Sequence, residues 1–205
     1  MGLFDRKETQ EQVVKRLAGH AGNIVAMLKD VLKGPNGVDM VFPLLYAAGL
    51  AGYACHQAVK AEHGSFAVAE TKDGKRFYFG DDVNHYLLED QYSVWSFCKA
   101  VSHNTDEEML AIVTNVVQTV GSDELNIWNM TPDSVYTKIR ECWDGIYTNM
   151  TERYCKKPSE WPFLYGIVLQ NVILQAIDAG APAEEAGRMA MKCAIVISRM
   201  DDDSI

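Results

Sequence analysis

The run "MVFPLLYAAGLAGYACHQAV", residues 40–59, contains no Asp, Glu, Lys or Arg, and its reading decides the fold. Its length approaches that of a membrane span. Pro43, Gly49, Gly52, His56 and Gln57 interrupt it, and alanine rather than leucine dominates it. These features point to a buried helix of a soluble bundle, running from about Asp39 to Glu62 with Asp39 as N-cap. Ala47, Ala48, Gly49, Ala51, Gly52 and Ala54 make one side of this helix thin, so that another backbone can come close. The thin side suits tight internal packing. It also suits a contact between subunits or a groove for a partner helix, with Gly49 and Gly52 as candidate interaction residues.

Upstream, Val13, Val14, Leu17, Ala21, Ile24, Val25, Leu28 and Val31 recur at helical spacing and predict a helix over about Thr9 to Leu32. "KGPNG" at 33–37 ends it, because Pro35 cannot continue a helix. Downstream, "SFAVAETKDGKRFYFG" at 65–80 reads as a β-hairpin. Asp73-Gly74 marks a type I′ turn, whose two central residues both need positive φ. A lone two-stranded hairpin is marginal in water, so Phe77 and Phe79 must pack on helices or meet a partner; both are candidate interaction residues.

The remaining chain alternates helices and stops. "DDVNHYLLED" opens a helix that Asp81 or Asp82 caps, and a short helix follows near Ser93 to Ser102. "TDEE" at 105–108 is a capping box for a helix reaching about Val120. Thr131 with Pro132 starts another, to about Tyr154. Ser159 caps an apolar helix from Glu160 to Ala179, and a last helix runs from Pro182 to Arg199. The expected architecture is mainly α: an irregular bundle of about eight helices in a single domain, residues 1–200, with one inserted hairpin. Residues 201–205, "DDDSI", read as an acidic, frayed tail.

Composition narrows the function classes. A chain of 205 residues with 48% apolar and 23% charged residues can build one well-packed core. A net charge of -9 and the lack of a basic run argue against nucleic acid as a partner. The five cysteines, Cys55, Cys98, Cys142, Cys155 and Cys193, are odd in number and form no C-x-x-C, which fits a reducing, cytoplasmic setting better than a disulfide framework or zinc ribbon. The start "MGLFDRKETQEQ" has no apolar core of a signal peptide, and Arg6 departs from the myristoylation pattern after Gly2.

Candidate chemistry gathers in "GKRFYFGDDVNHYLLED", residues 74–90. On an α-helix Asp81, His85 and Glu89 share one face, and Asp82 lies three residues before His85. Carboxylates and imidazole at that spacing can hold a divalent metal, though a helical di-metal site repeats Glu-x-x-His on two helices and Asp82-x-x-His85 occurs here once. The plainer reading is an N-cap aspartate and a surface His–Glu pair, with no cofactor. Serine-nucleophile and phosphate-loop patterns are missing. Trp95, Trp128, Trp143 and Trp161 supply core or the lining of an apolar pocket. Three functions follow as expectations. The leading one is a non-enzymatic acidic module that binds a protein partner, such as a basic protein, or a second copy, as an adaptor, inhibitor or immunity-type protein would. The others are a metal-dependent enzyme on the Asp81/Asp82/His85/Glu89 face and a binder of a small apolar ligand.

Overall fold

The computed structural model describes residues 8–35, 37–122 and 124–205. Gly2 and Arg6, on which the amino-terminal reading rests, lie outside the described residues. The chain is mainly helical with one inserted antiparallel hairpin. Helix α1 spans Gln10–Val31, behind a capping box of Thr9 and Gln12. Helix α2, Val41–Ala61, is the central element: it packs along α8 (Trp161–Asp178) and α9 (Ala183–Ser198), with α1 and α6 (Pro132–Ile146) beside it. The charge-free run is therefore buried by the chain's own helices. No helix among the described residues is long and apolar enough to cross a membrane.

The thin side of α2 explains this closeness. A Cβ at Gly52 would overlap the Ala194 carbonyl of α9, and one at Gly49 would meet the Ile139 side chain of α6. Both glycines thus serve contacts within the chain, with α9 and α6. Asp39 lies one residue ahead of the observed cap, Met40, and its Oδ1 accepts the Val41 N–H at 3.1 Å.

Strand β1 (Ala67–Glu70) pairs with β2 (Arg76–Phe79) in the register Ala67↔Phe79 to Glu70↔Arg76. Of the two turn residues, Gly74 has positive φ (87°) and Asp73 does not, so the expected type I′ turn is replaced by a longer loop. Thr71 closes that loop, accepting the Gly74 N–H on its carbonyl and the Lys75 N–H on its hydroxyl. The hairpin docks within its own chain: Phe77 is 3% exposed, and Tyr78 donates its N–H to the Arg199 carbonyl at 2.8 Å. Phe79 stacks under the Arg199 guanidinium at 5.3 Å. Phe77 and Phe79 are thus internal contacts, and β1 is the exposed edge.

Helix α3 (Asp81–Asn84) follows an extended Gly80, so Asp81 and Asp82 occupy its first turn instead of capping it. Residues His85–Glu89 then wind as a π-turn. After α4 (Val94–Ser102), capped by Ser93, and α5 (Asp106–Thr119), capped as expected by Thr105, the chain crosses to α6, capped as expected by Thr131. A second π-turn, Tyr147–Thr151, joins α6 to the short α7 (Glu152–Tyr154). The start of α8 departs from expectation: Pro158–Glu160 form a 3-10 turn, and no side chain, Ser159 included, caps the helix. The tail departs further. Asp201 is nearly buried and opens a 3-10 turn, Asp202–Ser204, that is bound to the body of the protein.

Candidate functional site

The predicted metal face does not assemble. A π-turn carries more residues per turn than an α-helix, which takes Glu89 off the line of His85. Asp90 replaces it: its Oδ2 lies 3.4 Å from His85 Nε2. Asp82 accepts the Ser65 N–H at 3.1 Å, and Glu62 accepts the Tyr86 hydroxyl at 2.9 Å. Asp81 and Glu89 stay on the surface. Glu62, Asp82, His85 and Tyr86 border one small cavity, yet no three His, Cys, Asp or Glu side chains among the described residues converge to hold a metal ion.

The thiols are equally committed to packing. Burial pushes Cys142 up to about 11 and Cys98 and Cys155 up to about 12, and it drives Cys55 and Cys193 higher still. A thiolate nucleophile is disfavoured at each. Three of the four tryptophans are core or near-core residues. Trp143 contacts Tyr53, Tyr147, Trp161 and Tyr165 with ring centroids 5.2–5.7 Å apart, and Trp95 donates its Nε1–H to Asp106 at 2.9 Å.

Trp128 is different. Ile127 and Met130 form an isolated antiparallel bridge, and the two residues between them, Trp128 (φ 49°) and Asn129 (φ 61°), are both left-handed. That is the geometry of a type I′ turn built without glycine. Asn tolerates it; for a bulky residue such as Trp it costs about 1–2 kcal/mol. Ile127, 2% exposed, roots the turn in the core. The strained backbone aims the indole at α9, where Nε1–H donates to Met189 Sδ at 3.1 Å. The Trp128 ring so forms one wall of an open cavity of about 480 Å³ between the start of α2, the end of α8 and the start of α9. Met40, Val41, Leu44, Ala176 and Met189 line it, and its charged lining residues are both acids, Asp39 and Glu185. Phe42 stands exposed on the same end of α2. Sequence inspection missed this site because "NIWNM" holds no glycine; the adjacent "GAP" at 180–182 marks only the neighbouring loop.

The chain matches no known protein family, no curated protein and no solved structure. Its functional reading therefore rests on its own residues.

At the opposite end of α2 the chain is closed by charge. Asp201 receives Lys60 Nζ at 2.5 Å and faces His56 Nε2 at 3.5 Å. His56 is wholly buried; its Nδ1–H donates to the Ser198 carbonyl at 3.1 Å, and its ring stacks on Phe66. Burial pushes the Asp201 carboxyl up, but the nearby His56 ring and hydrogen bonds from Lys60 and the Asp202 N–H outweigh it and hold the group well below the usual carboxylate range. Arg199, 2% exposed, donates Nη2–H to Asn84 Oδ1 at 2.6 Å; its Nε and Nη1 have no protein partner, and burial lowers its pKa.

Proposed function

We propose that this chain is a non-enzymatic, acidic helical interaction protein, of the adaptor or inhibitor kind, that seats an apolar side chain of a basic protein partner in the Trp128 cavity. One observation carries the reading: a tryptophan held in a strained left-handed turn walls an open, mostly apolar cleft of about 480 Å³. Backbone strain persists where surrounding structure over-determines it, and it clusters at ligand clamps. The cavity volume lies in the range of binding sites, and its apolar lining with a few polar groups suits a side chain carrying its own charge nearby. Asp39 and Glu185 select a positive one, and the net charge of -9 draws a basic partner from a distance. The cysteines, all free thiols, support a cytoplasmic setting.

The test is a titration of methyl-labelled protein with a short Leu/Lys peptide and its Leu/Glu counterpart. The expected result is movement of the Met40 and Met189 methyl signals with the Leu/Lys peptide alone, abolished by Trp128→Gly. If both peptides or neither move these signals, the reading is wrong.

A second reading, a small apolar ligand, has its own observation. A cleft of about 280 Å³ lies between the end of α1 and α6, lined by Met27, Leu28, Val31, Tyr46, Cys142 and Ile146. Saturating the protein with benzene separates the two readings: this one predicts a shift at the Met27 methyl and none at Met189.

A further inference from the structure

The acidic tail sits in a receptor assembled from three distant elements. Each of its three consecutive carboxylates meets one basic side chain and one ring group. Asp201 meets Lys60 and His56 of α2. Asp202 accepts Arg140 Nη1–H at 2.7 Å and the Tyr136 hydroxyl at 3.3 Å, both from α6. Asp203 accepts the Tyr78 hydroxyl at 2.7 Å and Arg76 Nη1–H at 3.3 Å, both from β2. The Ser204 hydroxyl then donates to the Arg76 carbonyl on the outer edge of β2. On a protein with nine more acids than bases, Lys60, Arg76 and Arg140 stand together beneath the tail, Arg76 also donating to Glu70 at 3.4 Å.

The hold on the tail is largely polar. Met200 is the last fully buried apolar residue, and Ile205 is half-exposed. The Asp202 and Asp203 side chains are 68% and 44% exposed, so their ion pairs contribute little. The outer two carboxylates are thus open to solvent, while the cradle beneath them is carried by α2, α6 and β2.

We propose that this cradle is a docking site for an extended acidic segment of another protein, two or three consecutive carboxylates followed by a hydroxyl residue, and that the chain's own tail is its resident, displaceable occupant. The charges would be read by Arg140, Arg76 and Lys60. The hydroxyl would be read by the Arg76 carbonyl, an edge-strand acceptor available to a segment laid beside β2. This site is separate from the Trp128 cavity, and its test is independent of that reading.

The probe is a fluorescein-labelled hexapeptide, MDDDSI, titrated against the full-length chain at low ionic strength, with MNNNSI as control. Occupancy by the tail lowers apparent affinity by the fraction of open cradle. The D202N/D203N chain, which keeps the Asp201 anchor, is therefore expected to bind MDDDSI at least about fivefold tighter than the unaltered chain. Adding Arg140→Glu is expected to abolish binding, and MNNNSI is expected not to bind. Equal affinity in the two chains, indifference to Arg140→Glu, or equal binding of MNNNSI each overturns the proposal. Should D202N/D203N fail to fold by circular dichroism, the unaltered chain decides: carboxylate-dependent binding that Arg140→Glu removes supports the proposal, and no such binding overturns it.

Discussion

The two ends of α2 solve opposite problems. At the carboxy-terminal end, the chain's own charges meet: Asp201 is shared by Lys60 and His56, Asp202 pairs with Arg140 and Asp203 with Arg76, beside a buried Arg199 whose Nε and Nη1 have no hydrogen-bond partner. At the amino-terminal end, apolar groups that would be buried in a sealed protein stay open around a cavity, with Trp128 strained into place beside them. A closed end contributes stability and an open end forgoes it. The contrast separates a site filled by the chain's own residues from one left open.

The sharpest break of this contrast strikes the spine that both ends share. Gly52→Val forces a side chain into the Ala194 backbone, and we expect a loss of more than about 3 kcal/mol in urea denaturation, with both ends disrupted together. Next comes the closed end. Asp201→Asn is expected to cost about 2–3 kcal/mol at neutral pH, since it removes the charge-assisted bond to Lys60 from a nearly buried carboxylate. The folded Asp201 carboxyl titrates below its unfolded value, so its contribution is present above the ordinary carboxylate range near 4 and is lost as pH falls toward the folded value. Acid titration of the unaltered chain should show that falling limb, and Asp201→Asn should flatten it.

The open end should behave differently. Trp128→Gly relieves about 1–2 kcal/mol of left-handed strain while losing packing against Met189, so the net change in thermal unfolding is expected to stay within about 1 kcal/mol. The same variant should erase the Met189 response to a basic peptide. A loss of several kcal/mol would instead make Trp128 a core residue and dissolve the contrast. The smallest expected effect on stability is that of Glu185→Lys, at most about 1 kcal/mol for a cation placed in the first turn of α9. Its effect on recognition should be large, with the basic peptide weakened about tenfold in the same titration.

What the sequence determined by itself is the set of helices and much of their phasing. Thr9, Ser93, Thr105 and Thr131 announce helix starts because a cap acts on the N–H groups of the next three residues, and the charge-free run at 40–59 announces a buried helix because burial excludes unpaired charge. Local signals failed where tertiary forces chose among local alternatives. Asp73 does not adopt the left-handed state its pairing with Gly74 suggests, whereas Trp128 adopts it with no local preference for doing so, its turn rooted by buried Ile127. The π-turn at His85–Glu89 shifts the partner of His85 by one residue and scatters the predicted metal face. The tail that reads as frayed is docked because its partners lie far off in sequence: Asp201 and Lys60 are 141 residues apart, and Asp203 and Arg76 are 127 apart. Caps and periodicity act over one or two helical turns. Charge pairing between ends of the chain, and the cavity left open between helices, exist only once the helices have been placed.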